Sequence, residues 1–436
     1  MQRRYPRRTV IAATVAALAL VATACGGSGD STTGSGGPVT LSMSAWSLNS
    51  TPEFKKLAEA FHSENPDITV EFKEYDATNY DTQLTADLAA GSGPDVFILK
   101  NLKNFITYQG GDQLLDVSDV ADGLGGGVNG LGNYKVEGAT YAVPYRQDSW
   151  YLYYNKDLFA KAGVTPPAAT WTWADYEKAT ADLTAGLKAA GSPAKAAYQH
   201  VWQSTVQGLA LAQTSGADIT KGDYGYLKPY YERALKQQQS GAQVDYGTAT
   251  TNTLQYQAQF GTQQAATMLM GSWYVATLIA QQKKGDAQAF QWGFAPAPQR
   301  DASTKDKPVT FGDPTGLGIN AGIDGGKTAA AKKFLAFAAG EGGASALASI
   351  GITPATLTDK VTQAYFGVQG VPTDELSRFS FGSHDTHAEN PVSPMTAALQ
   401  NILQETHSAI MSGSTPVDEA LTKAGARARS EVIEAQ

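Results

Sequence analysis

Between Val39 and Leu99 the hydrophobic period of the chain switches repeatedly between two and 3.6 residues. This alternation restricts the folds open to it more than any other feature. Val39–Ala45 alternates apolar with polar residues, the pattern of a strand with one buried face. Phe54, Leu57, Ala58 and Phe61 then recur on one helical face, with Thr51 as an N-cap candidate and Pro52 suited to the first turn. Asn65–Tyr75 reads as a second alternating strand, residues 78–90 read as a second helix, and Val96–Leu99 is apolar throughout, as in a strand covered on both faces. Strands separated by single helices of this length pair in parallel through right-handed crossovers, so the chain is expected to be α/β. Ligands of such sheets gather beyond the carboxyl ends of the strands. Trp46 falls at such an end and is either a ligand platform or a core plug. Asp95, in the turn entering the third strand, is either a ligand partner or a turn residue. Glu74, Tyr75 and Asp76 are weaker candidates.

The segment Tyr141–Phe159, YAVPYRQDSWYLYYNKDLF, sits at a change of pattern. Pro144 keeps its first half extended. Ser149–Tyr154 is a dense apolar and aromatic run that reads as a buried strand, and Asp157 is a plausible cap for the helix that follows. Between the halves stand Arg146, Gln147, Asp148 and Trp150. A guanidinium, an amide, a carboxylate and an indole suit recognition of a polyol, and they suit equally a hinge held by an ordinary ion pair.

This segment resembles the hinge-crossing stretch of the extracellular solute-binding proteins that serve sugar ABC importers. Three further stretches extend the resemblance over nearly the whole chain. Phe260–Tyr274 is similar to that family's helix end, buried strand and Gly-Ser-Trp loop. Phe311–Ala321 is similar to its glycine-rich strand, and Gly351–Thr356 to its third crossover. The resemblance implies a type II periplasmic-binding-protein fold. Two lobes, each with a mixed, mostly parallel sheet flanked by helices, would be joined by three hinge crossings. The first lobe is expected over residues 39–146 and 310–353, the second over 147–309 and 354–436. Gln199, His200, Val201 and Trp202 fall where the family places pocket residues, although Trp202 also suits a lobe core. Ser272 and Trp273 follow the strand end at Gly271, and Trp273 either stacks on a ligand or packs inside. Asp313 and Thr315 are pocket candidates in which Asp313 departs from the small residues usual there. Trp171 and Trp173 read as packing residues, with Thr172 as an N-cap. His384, Asp385 and His387 read as a surface loop rather than a metal or ligand site.

The N-terminus carries Arg3, Arg4, Arg7 and Arg8, an apolar run over residues 10–21 too short to span a bilayer, and small residues before Cys25. This resembles a bacterial lipoprotein signal, with residues 1–24 removed, Cys25 acylated and 25–38 a flexible tether. An Ala stands at position 22 where a lipobox usually has Leu. A Gly/Ser coil of that length spans roughly 20 Å. The formal net charge of −8 becomes more negative once the four arginines leave, which argues against a nucleic-acid partner. One cysteine and five scattered histidines leave no disulfide framework and little material for a zinc site. No cofactor is implied.

The expectation is therefore a monomeric, lipid-anchored, extracytoplasmic protein that binds a mono- or oligosaccharide and delivers it to an ABC permease. Trp46, Trp150 and Trp273 would be its stacking platforms, and Asp95, Arg146 and Asp148 its hydrogen-bonding groups. Two alternatives stay open: the same fold carrying a non-sugar solute, and a secreted glycan hydrolase. A hydrolase needs paired carboxyls, for which Asp95 and Asp148 would serve. No GxSxG elbow, HExxH helix or P-loop occurs.

Overall fold

The computed structural model describes residues 37–435. Cys25 and most of the expected tether lie outside them. The strands are β1 (Val39–Trp46), β2 (Ile68–Tyr75), β3 (Val96–Leu99), β4 (Lys135–Val136), β5 (Ala139–Thr140), β6 (Val143–Gln147) and β7 (Trp150–Asn155), followed by β8 (Lys195–Tyr198), β9 (Ala265–Gly271), β10 (Trp292–Pro296), β11 (Val309–Phe311), β12 (Pro314–Ile319) and β13 (Asp385–His387). Two larger sheets result. The first has the order β2-β1-β3-β12-β6, with only β12 reversed. The second has the order β10-β7-β9-β8, with only β7 reversed. The first two crossovers, through helices Glu53–Glu64 and Tyr80–Ala89, follow from the periodicity of residues 39–99.

Each sheet has its own apolar core. Leu41, Phe61, Phe97, Ile98 and Phe334 lie in the first, and Leu152, Tyr153, Met268, Phe294 and Leu399 in the second, all fully buried. Each such side chain contributes roughly 1.5–3 kcal/mol through removal from water. The chain from Pro38 onward nevertheless clusters as one compact unit. Helix Glu341–Ala348 shows why: Leu347 packs into the first core while Ala344 and Ala348 pack into the second. The chain passes between lobes three times. It leaves the first sheet after β6, returns between β11 and β12, and passes again beyond Ile352, where Pro354 bridges to Arg146.

Two of these passages touch at Gly312. A Cβ there would lie 2.0 Å from the Asp148 carbonyl oxygen, so no other residue fits without moving the backbone. The Gln147 side-chain amide also donates to the Gly312 carbonyl at 3.2 Å.

Local signals were resolved in different ways. Thr172 caps helix Trp173–Ala189 as expected, forming a full capping box with Asp175. The helix at Lys156–Ala162 is capped by Asn155 and not by Asp157. Asn155 is still extended, and its side chain accepts from the Leu158 amide, whereas Asp157 accepts from the Gln291 amide. Thr51 does not cap helix Glu53–Glu64, because Pro52 holds the cap position without a side-chain bond. Among the described residues no helix is long and apolar enough to cross a membrane.

Candidate functional site

The end of β6 places Arg146 inside the protein, and the hinge closes around it. Its Nε lies 2.9 Å from Asp148, Nη1 pairs with Glu53, and Nη2 donates to the Thr315 hydroxyl at 3.2 Å. Glu53 opens helix Glu53–Glu64 and also accepts from the Tyr145 hydroxyl. Asp148 in turn accepts from the Ser272 hydroxyl at 2.8 Å, in the loop after β9. Burial pushes the Glu53 and Asp148 carboxyls above their ordinary range, and the guanidinium only partly offsets this. For Arg146 burial works the other way, but Asp148 and Glu53 outweigh it and hold the guanidinium charged. Of the two readings of Arg146 and Asp148, the structure takes the hinge ion pair: their charged atoms are committed to each other and to Glu53. Ser272 and Thr315 are committed with them and fully buried. Sequence reasoning missed Glu53, which offered no local signal beyond its place in a first helical turn.

A row of packed aromatic rings runs from this hinge into the second lobe. Trp150, only 4% exposed, stacks on Phe311 at 4.8 Å and meets Trp273 edge to face at 5.7 Å. The Trp273 indole lies on Gly271, where a Cβ would come within 1.9 Å of the ring, and its Nε1 donates to the Tyr256 hydroxyl at 3.2 Å. Tyr256 then packs against Trp202 at 5.5 Å, and His200 fills the angle between them. Burial brings the His200 imidazole down to about 4, so it is neutral at physiological pH. Trp202 is 41% exposed, the most exposed of the large apolar side chains at that end of the row. Trp202 and Trp273 are thus brought together, while Trp150 is closed into the hinge. Tyr256, the link between them, lies in a short polar helix and carried no sequence signal.

The facing end of the first sheet is built differently. Trp46 ends β1, half-buried, with edge contacts to Phe54 at 4.8 Å and Tyr80 at 5.1 Å. Lys100 follows β3 and lays its ammonium 4.8 Å from the Trp46 ring. The strand-end rule that picked Trp46 would have picked Lys100 as well. The lobes meet on both sides of this region: Lys284 donates to the Asn49 carbonyl at 2.7 Å, and Lys103 to the Asn401 side chain at 2.9 Å.

Two expected site residues lie elsewhere or are consumed. Asp95 stands at the amino end of β3, next to the Ile319 end of β12, whereas Asp148 lies beyond the Pro314 end. The six residues of β12 separate them by about 20 Å, so they do not flank one bond as a hydrolytic pair. Asp95 instead accepts from the backbone and hydroxyl of Ser42 and pairs with Lys327 at 2.9 Å. Asp313 is buried and takes four donors, the Leu102, Glu389 and Asn390 amides and the Asn390 side chain. Its departure from a small residue therefore serves a junction between segments and leaves no free oxygen for a ligand. His384 contacts the Ser149 hydroxyl at 3.0 Å, against the hinge, rather than lying in a free loop.

Residues 45–345, more than half of the chain, match the model of the bacterial extracellular solute-binding protein family. A sugar transporter from Rhizobium etli, solved in an open conformation, superposes with a TM-score of 0.76 at 29% identity, covering 90% of this chain and 99% of that one. A putative binding protein of Brucella abortus is 31% identical over 147 residues, 31% of this chain and 33% of the relative. The sn-glycerol-3-phosphate-binding periplasmic protein UgpB of Shigella dysenteriae is 30% identical over 198 residues, 41% of this chain and 43% of the relative. The matches thus span less than half the length of these curated relatives. Two lobes around a hinge, strand ends meeting across it and a family match over most of the folded part agree: the chain belongs to the bacterial extracellular solute-binding proteins.

Proposed function

We propose that the chain binds a carbohydrate, a mono- or oligosaccharide, between its lobes outside the cytoplasm and presents it to the permease of an ABC importer. The observation that carries this reading is the aromatic row Trp273–Tyr256–Trp202 at the carboxyl end of the second sheet. The C–H faces of a sugar ring need flat apolar platforms, and its hydroxyls need fixed polar partners beside them. Trp273 and Trp202 are the platforms, and Trp46, at the end of β1, is the first lobe's candidate. The Rhizobium etli protein, described as a sugar transporter and 29% identical over nearly its full length, supports the same assignment.

The hinge gives this binding a mechanism. Ligand contacts on both lobes favour the closed arrangement by their difference in affinity between the two states. Arg146 and Asp148 do not touch the sugar in this reading. They hold the β6–β7 passage and, through Ser272, the loop that carries Trp273. Glu53 and Asp148 are committed to Arg146 and to hydroxyls, and Asp313 to amides, and in this reading the protein acts by binding alone, as a monomer. Acylation of Cys25 would keep it at the outer face of the cell membrane.

Titration of the purified protein with mono-, di- and oligosaccharides tests the assignment, with tryptophan fluorescence and melting temperature read together. A saturable change with an upward melting shift is expected. A flat response to every sugar would overturn the carbohydrate reading and leave the fold untouched. For the anchor, Cys25→Ala should move the protein from the membrane fraction to the medium, and unchanged partition would remove it.

A further inference from the structure

We propose that Lys100 and Lys103, in the loop after β3, read a negative charge on the ligand, so that the solute is an acidic saccharide bearing a carboxylate or phosphate. This inference rests on the carbohydrate reading and deepens it.

Both lysines occupy the interlobe side of the first sheet. Lys100 follows the carboxyl end of β3, its carbonyl held by the Thr315 hydroxyl at 3.2 Å. Its ammonium donates to the Ala77 carbonyl at 2.8 Å and lies over the Trp46 and Tyr80 rings, at 4.8 and 5.4 Å. Lys103 reaches the opposite lobe at Asn401. Among the described residues neither has a carboxylate within 4.0 Å, although both are partly buried. Burial lowers the proton affinity of both, which is the cost of withdrawing an ammonium from water without a counter-ion.

The charged groups around them do not remove that cost. Asp81 and Asp76 favour the charge on Lys100 from beyond ion-pair distance, and Arg146 opposes it. Asp81 already accepts from the Tyr108 hydroxyl, and Asp76 from the Thr78 and Asn79 amides. For Lys103 the acting groups are Asp81 and Glu389, and Glu389 is bound to the Ser204 hydroxyl. A desolvated lysine held over an indole at a strand end is worth keeping when a ligand supplies the missing charge, because a charge-assisted bond formed there is roughly twice as strong as a neutral one. Such a ligand would place its ring against Trp46 or Trp273 and its anionic group at the β3 loop.

Calorimetric titration of the purified protein and of Lys100→Met and Lys103→Met decides the matter. The probes are two matched sets, glucose, glucuronate and glucose 6-phosphate, and galactose, galacturonate and galactose 6-phosphate, with glycerol 3-phosphate added as an anion without a sugar ring. An acidic sugar should bind about tenfold or more tightly than its neutral counterpart, more weakly as salt rises, and the preference should vanish in Lys100→Met and shrink in Lys103→Met. Carboxylate and phosphate members of a set separate the two sources of charge. The melting temperature of unliganded Lys100→Met should hold or rise; a fall of several degrees would assign Lys100 to stability and overturn the proposal. Should Lys100→Met not fold, Lys103→Met carries the same comparison. Neutral sugars binding as well as acidic ones would overturn the inference and leave the carbohydrate reading standing. Glycerol 3-phosphate binding alone, dependent on Lys100, would keep the anion site and overturn the sugar. Binding of no probe would overturn the inference.

Discussion

Arg146 Nε and Asp148 Oδ2 lie 2.9 Å apart across the two residues at which the chain leaves its first sheet. Because Glu53 holds the other side of the guanidinium and Ser272 the other oxygen of Asp148, this pair joins the first helix, the hinge and the loop bearing Trp273. Arg146→Met should destabilise the protein by about 3–5 kcal/mol at neutral pH, since it strands two buried carboxylates. Both carboxyls are raised by burial, so they take up protons early in acid and the penalty fades. Denaturant melts of both proteins at pH 7 and pH 4 measure this. A deficit equally large at both values would refute the network.

Trp150 and Trp273 touch, yet their removal should have different consequences. Trp150 is 4% exposed and stacked on Phe311, so Trp150→Ala should cost about 3–5 kcal/mol of stability. Trp273 is half-buried at the interlobe face, so Trp273→Ala should weaken sugar binding markedly with the fold intact. Unchanged affinity in a folded Trp273→Ala protein would take that indole out of the binding surface.

Gly271 and Gly312 allow a sharper separation of binding from folding. A methyl at Gly312 meets backbone, the Asp148 carbonyl, which cannot yield without moving the hinge. A methyl at Gly271 meets the Trp273 ring, which can swing away. Gly312→Ala should therefore lower the melting temperature, by the equivalent of at least about 1–3 kcal/mol. Gly271→Ala should mainly reduce affinity by displacing the indole. Equal melting losses in both variants would contradict this division.

The strand and helix alternation of residues 39–99 was legible for a physical reason, because it rests on local periodicity that nothing in the segment contradicts. The hinge passage and the Gly-Ser-Trp loop were legible only through their resemblance to the solute-binding family. Side-chain partners are tertiary facts and stayed hidden. Asp95 reads the same whether it faces a ligand or, as here, Ser42 and Lys327, because these partners are 53 and 232 residues away in the chain and meet it only on folding. Asp313 looked like a pocket residue because its four donors come from residues as far apart as Leu102 and Asn390. Tyr256 joins Trp202 to Trp273 only through folding. Lys100 was open to the same strand-end argument as Trp46, but aromatic side chains drew that argument first.

Glu389 offers a test through pH. Burial, followed by the nearby Asp313 charge, raises its carboxyl from 4.5 to about 7. The folded state therefore holds this proton more tightly than the unfolded chain does. The stabilisation is complete below about pH 4.5, is lost as pH rises towards 7, and is absent above that. Its upper size is on the order of 3 kcal/mol for a shift of that span. Glu389→Gln stays neutral throughout and can keep the contact with Ser204. It should match the parent protein near pH 4 and exceed it in stability at pH 8. Asp313, also raised by burial, is coupled to Glu389, so the difference between the two curves reports Glu389 together with that coupling. Stability curves that run parallel from pH 4 to pH 8 would show that Glu389 is ionised in the folded protein as freely as in the unfolded one.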